Sequence, residues 1–386
     1  MTTKAAKEAF YAGHSGGSIW EPQLLIALCV ASYVLYRSLA RRLPAGILRV
    51  PIEAIVLGGV PLAGITLASN QIAELILFVL GVGGLSLIAP LPSRPFLNIR
   101  PKQFIHRRPF SIVFRAVLQL LTVAAILAVD FTVFPRRFAK TESFGYSLMD
   151  LGVGGFIFSN GFVAGPRLKS ASSRNLIAVL KSFVIALPIL VLGVVRFISM
   201  RAVEYHEHVT EYGVHWNFFL TLGFIPLLTA LVQYAIPNIH FGVAGAVIMG
   251  IYEYVLTQRN LQRYILHAKR EGSFFQLNRE GICSFFGYWA IFFIAAHIGE
   301  RVLTTHKRLA ELEAPLLGIY KKKKGERVSN EDETEKVPRG NPETPDTYNL
   351  TPPDGFSIDL LNIIDLISIF TALATFFVPT LLIVSG

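Results

Sequence analysis

The sequence contains little charge and little cysteine for its length. Asp, Glu, Lys and Arg make up 16% of its 386 residues, whereas about 25% is usual in soluble domains. The two cysteines, Cys29 and Cys283, both lie in apolar stretches, and they are not spaced like metal ligands. These shortages exclude an ordinary soluble domain and leave no reason to expect a disulfide framework.

Apolar residues are present in excess. They make up 52% of the chain, and the mean hydropathy is +0.50, which excludes a disordered chain. Uncharged apolar runs of roughly 20 residues recur, the length that spans a bilayer. Because the runs are continuous, they predict helices and not barrel strands, which alternate. The predicted fold is all-α, a polytopic transmembrane helix bundle with about ten membrane spans. These spans are 22–38, 51–69, 72–90, 112–133, 147–165, 175–198, 215–235, 240–257, 281–300 and 358–384.

The predicted spans divide the chain into three parts. Residues 1–317 form the transmembrane bundle with the first nine spans, and residues 358–386 contain the last span. Residues 318–357 combine a lysine run with acidic residues and prolines. This composition cannot bury enough apolar area to fold, so a disordered loop is expected there. The residues before the first span are polar and small, so we expect no cleavable signal peptide.

The net charge of +10 would indicate nucleic-acid binding in a soluble protein. In a membrane protein, Lys and Arg instead concentrate in cytosolic loops. Counted over the predicted loops, Lys and Arg favour an N-terminus outside the cytosol. A nucleic-acid partner is therefore not expected.

The segment between the fourth and fifth spans is unusually polar. Residues 128–142 read Ala-Val-Asp-Phe-Thr-Val-Phe-Pro-Arg-Arg-Phe-Ala-Lys-Thr-Glu, and the charge count places them away from the cytosol. One interpretation is structural: Asp130 pairs with Lys140 or an arginine, while Arg136 and Arg137 reach lipid headgroups. The other is catalytic. A half-desolvated Asp acts as general base, and Lys and Arg bind an anionic headgroup or a developing oxyanion.

Two further stretches place polar residues near the membrane. In the fifth span, Asp150 and Asn160 need partners or water, so they either pack against neighbours or line a cavity. At the start of the seventh span, Glu211, His215 and Asn217 are second-choice site residues, with His215 as an alternative base. The histidines before this span miss the zinc-protease spacing, because a threonine replaces the second histidine. No metal site is predicted.

The polar segment carries a family resemblance. Together with Ser-Leu-Met-Asp-Leu-Gly-Val-Gly at 147–154, it strongly resembles the GPI-anchor inositol acyltransferases of the PIG-W type. The resemblance covers about residues 7–300. Family members typically have more membrane helices and a longer tail, so the C-terminal helices are expected to be missing or altered here. Three shorter stretches also match the family: Lys7-Glu8 with Gly16-Gly17-Ser18, residues 210–219, and residues 278–288.

The resemblance implies a multi-pass enzyme of the endoplasmic reticulum membrane. Such an enzyme moves a fatty acyl group, commonly palmitoyl, from acyl-CoA to the inositol 2-hydroxyl of glucosaminyl-phosphatidylinositol. It would use Asp130 as general base and Lys140 as stabiliser of the thioester oxyanion. Arg136 and Arg137 would hold a phosphate of the lipid or of CoA. No Ser or Cys nucleophile stands out, so direct transfer is expected, with acyl-CoA as co-substrate and no cofactor.

Three alternatives remain open from the residues. A lipid transporter or flippase would use the intramembrane charges Asp150, Lys181 and Glu253 along a translocation path. A different membrane O-acyltransferase would use His215 as base and acylate another acceptor. A noncatalytic isoform would bind acyl-CoA without turnover. The shorter tail is the reason to consider this alternative.

Overall fold

A computed structural model describes residues 15–40, 42, 49–88, 109–141, 145–170, 175–202 and 209–304. The regular secondary structure within these ranges is helical, with isolated β-bridges between Gly16, Gly17 and Tyr146. The helices are α1 (Trp20–Ala40), α2 (Arg49–Glu53), α3 (Val60–Ile65), α4 (Ile72–Ile88), α5 (Pro109–Ala128), α6 (Leu148–Leu168), α7 (Leu176–Ala202), α8 (Val209–Tyr212), α9 (Phe218–Ala235), α10 (Phe241–Gln258), α11 (Leu261–His267), α12 (Phe274–Leu277) and α13 (Arg279–Thr304).

The all-α polytopic architecture is confirmed. Among the described residues, six helices, α1, α6, α7, α9, α10 and α13, are long and apolar enough to cross a membrane, and α4 and α5 contain shorter apolar helices. The predicted span 51–69 is helical over residues 49–65, where α2 continues through a π-helical stretch at Ala54–Gly59 into α3. Pro61 lies just after this stretch and has no backbone N–H to donate, so a regular hydrogen-bond ladder cannot pass through it. The predicted loop 318–357 and span 358–384 lie outside the described residues.

The helices differ in how deeply they are buried. Only 17% of the apolar window of α7 is buried against the rest of the protein, compared with 61% for α13. Large apolar side chains such as Leu77 on α4 and Ile185 on α7 are exposed. Such surfaces face lipid tails at no cost, because the tails are as apolar as leucine. The helices α1, α6 and α13 therefore form the interior of the bundle, and α7 lies at its periphery.

Glycines bring α6 and α13 into close contact. A Cβ at Gly161 would lie 2.5 Å from the carbonyl oxygen of Phe292, and one at Gly165 would overlap the carbonyl of Ala296. The sequence places these two glycines four residues apart, the small-residue spacing that lets membrane helices approach closely. This packing fixes the long axis of α6, whose first turn enters the candidate site.

One end of the bundle gathers several loops. The start of α1, the α5–α6 connection and the segment before α9 meet there through the contacts Gly17–Tyr146, Arg137–Glu21 and Lys140–Glu211. The start of α13 joins them through Asn278, which binds the segment before α9. We call this end of the bundle the site end.

Candidate active site

The turn that carries Asp130 is anchored by buried aromatic residues. Helix α5 ends at Ala128, so Asp130 emerges from the turn that follows, and its side chain is exposed. Phe134 and Phe138 are 1% and 0% exposed and contact each other edge to face. These two rings anchor the turn on the bundle, while Asp130 stays accessible at the site end.

Arg136 closes the same turn. Its Nη2 donates hydrogen bonds to the carbonyl oxygens of Val129 at 2.8 Å and Phe131 at 2.7 Å. These two carbonyls flank Asp130 in the chain, so Arg136 holds the backbone on both sides of the predicted base. Its guanidinium therefore lies close to Asp130, and binding of a substrate phosphate by Arg136 stays a prediction.

Arg137 joins the turn to two other elements. Its Nε donates to Glu21 at 2.8 Å, and its Nη2 donates to the carbonyl of Ser69 at 3.0 Å and to Asn70 Oδ1 at 2.8 Å. The guanidinium also stacks over the Phe138 ring, 4.8 Å from its centroid. These contacts support a positioning role for Arg137, and the phosphate contact that the resemblance implies stays a prediction.

Lys140 forms an ion pair with Glu211 at the site end. Both side chains remain about one-third exposed, and the Lys140 ammonium lies 5.9 Å from the centre of the Tyr212 ring. Burial raises the pKa of Tyr212 well above its ordinary value, and the nearby Tyr288 and Glu211 raise it further. Tyr212 therefore remains a neutral phenol beside the Lys140–Glu211 pair.

Asp150 fixes the backbone next to Lys140. It is 8% exposed, and its Oδ2 accepts hydrogen bonds from Ser147 Oγ at 2.7 Å, Thr141 Oγ1 at 2.9 Å and the Thr141 amide at 3.3 Å. Ser147 is also the N-cap of α6, since its Oγ accepts from the Asp150 amide at 3.2 Å. Of the two alternatives for Asp150, these bonds favour packing over lining a cavity.

His215 lies at a junction with α13. The buried Asn278 side chain accepts hydrogen bonds from the backbone amides of His215 at 2.6 Å and Trp216 at 2.9 Å. The imidazole sits between the rings of Phe197 and Phe274, with centroid distances of 5.2 and 5.9 Å. Asn278 thus fixes the short segment that carries Glu211 relative to the start of α13.

Asn217 lies at the start of α9, and Asn160 lies on α6. Asn217 caps α9 by accepting from the amides of Phe219 and Leu220, and it donates to the Gly193 carbonyl at 2.9 Å. Asn160 is exposed on α6, ten residues beyond Asp150 and thus about 15 Å further along the helix. Substrate contacts for these two residues stay predictions.

The start of α13 carries a buried charge cluster. Arg270 donates to both oxygens of Glu280, at 3.0 and 2.7 Å, and Arg279 lies 3.2 Å from the same carboxylate. Arg279 also donates to the Ile265 carbonyl at 2.9 Å. These groups hold α11 against α13.

In the described part of the chain, His, Cys, Asp and Glu form no cluster of three suited to a metal ion.

An apolar cavity of about 290 Å³ opens beside Lys140. It lies between α1, α5 and α6, with side chains such as Cys29, Phe114 and Phe156 in its wall. Among the described residues that line it, Lys140 alone is charged. The arrangement offers an ammonium group next to a long apolar space, which suits a ligand with a polar head and a hydrocarbon chain.

Comparison with known families decides what kind of protein this is. The family model described as GWT1 matches residues 3–379. The chain belongs to the GWT1 family. The resemblance inferred from residues 128–154 is thereby confirmed at the family level, and the match reaches beyond residue 300, where the resemblance stopped.

The GWT1-family chain is similar to fungal proteins named "GPI-anchored wall transfer protein 1". It is 36% identical to the Candida albicans protein over 322 residues, which cover 79% of this chain and 66% of that protein. It is 38% identical to the Yarrowia lipolytica protein and 36% identical to the Aspergillus fumigatus protein, with 78% of this chain and 66% of each relative covered. The chain thus spans just under two thirds of the length of these relatives.

In this GWT1-family chain, contact with the loop before α6 explains the glycines near the N-terminus. The Gly17 amide donates to the Tyr146 carbonyl at 2.8 Å, and a Cβ at Gly16 would lie 2.5 Å from the same oxygen. Gly16 has a φ of 77° and Gly145 a φ of 152°, a region that favours glycine. These glycines let the N-terminal segment lie against the loop before α6.

Three residues that shape the site, Ser147, Thr141 and Tyr212, were not predicted from the sequence. Ser147 had a usable signal, because a serine three residues before an acid is an N-cap pattern. Thr141 and Tyr212 had none, since their roles depend on contacts with Asp150 and Lys140. One interpretation of the sequence paired Asp130 with Lys140 or with an arginine. The structure pairs Lys140 with Glu211, which lies on α8, far along the chain.

Proposed function

We propose that this chain transfers a fatty acyl group from acyl-CoA to the inositol 2-hydroxyl of glucosaminyl-phosphatidylinositol, in the endoplasmic reticulum membrane. Membership of the GWT1 family and the relatives' name, which concerns GPI-anchored proteins, support this assignment. The observation that carries it is the position of Lys140 at the edge of an apolar cavity.

The donor half of the reaction follows from that position. The acyl chain of acyl-CoA would occupy the cavity, where it buries apolar surface. Its thioester carbonyl would then lie beside the Lys140 ammonium. Negative charge develops on this oxygen as the tetrahedral intermediate forms, and a fixed cation stabilises it. Glu211 would hold the ammonium in place between turnovers.

The acceptor half involves the exposed turn before Lys140. The Asp130 carboxylate would remove the proton of the inositol 2-hydroxyl while that oxygen attacks the thioester carbon. The carbon–sulfur bond then breaks, and the CoA thiolate leaves and takes up a proton. Arg136, which flanks Asp130, would contact the phosphate of the acceptor lipid. Both products, acylated lipid and free CoA, are accounted for without an acyl-enzyme.

The test uses purified protein in liposomes that contain glucosaminyl-phosphatidylinositol and labelled palmitoyl-CoA. Wild type should form inositol-acylated lipid. Because a general base and an oxyanion contact each contribute a large factor, Asp130→Asn and Lys140→Met should each lose roughly a hundredfold or more in rate. Product formation at the wild-type rate by either variant would refute the assigned role.

Lys169→Met is the matched control. Lys169 also pairs with a glutamate, Glu300 at 3.6 Å, but it follows the opposite end of α6. It should retain the wild-type rate. If wild type forms no acylated lipid but moves labelled lipid between leaflets, the proposal is wrong and the transporter alternative is favoured.

A further inference from the structure

The cavity beside Lys140 has the length of one long fatty acyl chain. On α5 it extends from Ile126 to Phe114, twelve residues or about 18 Å of helix. Half of a bilayer's hydrocarbon core, the depth filled by one lipid acyl chain, is about 15 Å. The two lengths agree, so the cavity accommodates a long chain with its carbonyl end at Lys140.

Two glycines of α6 line the cavity, Gly152 and Gly155, and they differ in the space around them. A Cβ built at Gly152 meets no atom within 4 Å. Gly155, three residues later, differs: its Cβ would lie 2.8 Å from Leu118 Cδ1. Close packing with α5 therefore explains Gly155. It does not explain Gly152. Glycine weakens a helix, so a glycine at this position calls for another reason.

We infer that Gly152 determines the length of the acyl chain that the site accepts, an inference that rests on the proposed function. Gly152 lies four residues beyond Leu148, which lines the cavity in the first turn of α6, and this separation is about 6 Å of helix. A large side chain at this position fills the cavity one helical turn beyond Leu148. It leaves room for a short acyl chain and blocks a long one.

The test compares acyl-CoA donors of different length in the liposome assay. For Gly152→Leu, the ratio of kcat/KM for palmitoyl-CoA to that for octanoyl-CoA should fall about tenfold or more, since pocket size discriminates strongly between chains. Gly152→Ala should give an intermediate ratio. Leucine is a better helix former than glycine, so α6 should remain intact.

Gly250→Leu is the matched control. Gly250 on α10 also has no atom within 4 Å of a built Cβ, and it is not among the residues that line the cavity. Its chain-length ratio should equal that of wild type. An unchanged ratio in an active Gly152→Leu protein, or an equal change in Gly250→Leu, would overturn the inference.

A second measurement covers the case in which Gly152→Leu turns over no donor. Palmitoyl-CoA with a photoactivatable group at the end of its chain is cross-linked to the wild-type protein. Peptides of α5 and α6 that line the cavity should carry the label, and Gly152→Leu should lose it. Label confined to other helices would overturn the inference. Cavity labelling by a wild-type protein that forms no product would refute the proposed function alone.

Discussion

Asp150 shows how a single carboxylate positions its neighbours. One of its oxygens accepts three hydrogen bonds, from Ser147 and from both the side chain and the amide of Thr141. Thr141 follows Lys140 directly, so these bonds fix the direction in which the lysine leaves the backbone. Asp150 is thus a positioning residue, and Lys140 is the group that would contact substrate.

We therefore expect Asp150→Ala to destabilise the protein by about 2–3 kcal/mol, because it leaves buried donors without an acceptor. Asp150→Asn retains an acceptor oxygen and should be milder. Thermal unfolding in detergent micelles measures both. Asp150→Ala unfolding at the wild-type temperature would contradict this account of the three bonds.

Tyr212 predicts a dependence of stability on pH. Its pKa is raised in the folded protein, mainly by burial, so the folded state retains the phenol proton more tightly than the unfolded chain does. The resulting stability is fully present below the ordinary tyrosine pKa of about 10 and is lost as the pH rises above it.

Tyr212→Phe should therefore reduce the loss of stability between neutral and strongly alkaline pH. The measurement is the unfolding temperature of wild type and variant across that range. Other tyrosines also titrate in this pH range. The contribution of Tyr212 is therefore the difference between the two proteins in how far the unfolding temperature falls. Parallel curves would show that Tyr212 makes no such contribution.

At the scale of elements, the contact between α6 and α13 orients the site. Gly165 allows the helix backbones to touch, since a Cβ there would overlap the carbonyl oxygen of Ala296 and lie 2.7 Å from the Glu300 amide nitrogen. Backbone atoms of a helix cannot move aside as the end of a side chain can. The two helices must therefore separate if this glycine gains a side chain.

Gly165→Ala should destabilise the protein by about 1–3 kcal/mol, the usual cost of overpacking. Gly84→Ala, on α4 with open space around it, should be neutral or slightly stabilising, since alanine favours helix more than glycine does. Thermal unfolding again distinguishes the two. Equal unfolding temperatures for both variants would argue against close packing of α6 on α13.

At the scale of the whole molecule, the charge count predicts that the site end faces away from the cytosol. Thr132, exposed in the Asp130 turn, marks the site end, and Ile236, 54% exposed between α9 and α10, marks the other. The native Cys29 and Cys283 are buried, so they should react little with a polar thiol reagent.

In sealed endoplasmic reticulum vesicles with the cytosolic side outward, Ile236→Cys should react with a membrane-impermeant thiol reagent. Thr132→Cys should react only after the membrane is permeabilised. The opposite pattern would reverse the orientation and place the Lys140 site at the cytosolic side.

Much of the fold follows from the sequence through one-dimensional patterns. Continuous apolar runs identified the membrane helices, because the bilayer requires about 20 apolar residues in each. Pro61 within the second run explains the irregular hydrogen bonding of that helix, since a proline interrupts the regular hydrogen-bond ladder. The polar segment at 128–142 and the glycine spacing in α6 were likewise local patterns, and both the family and the close packing of α6 followed from them.

The sequence by itself thus determined the class of fold, the family and the candidate residues Asp130 and Lys140. Only the tertiary structure decided that Lys140 pairs with Glu211, that Arg137 is tied to α1, and that a cavity opens beside Gly152. The physical reason is that lipid-facing and buried helix surfaces are equally apolar. Hydrophobicity therefore does not indicate which helices are neighbours, and ion pairs and cavities exist only between neighbours.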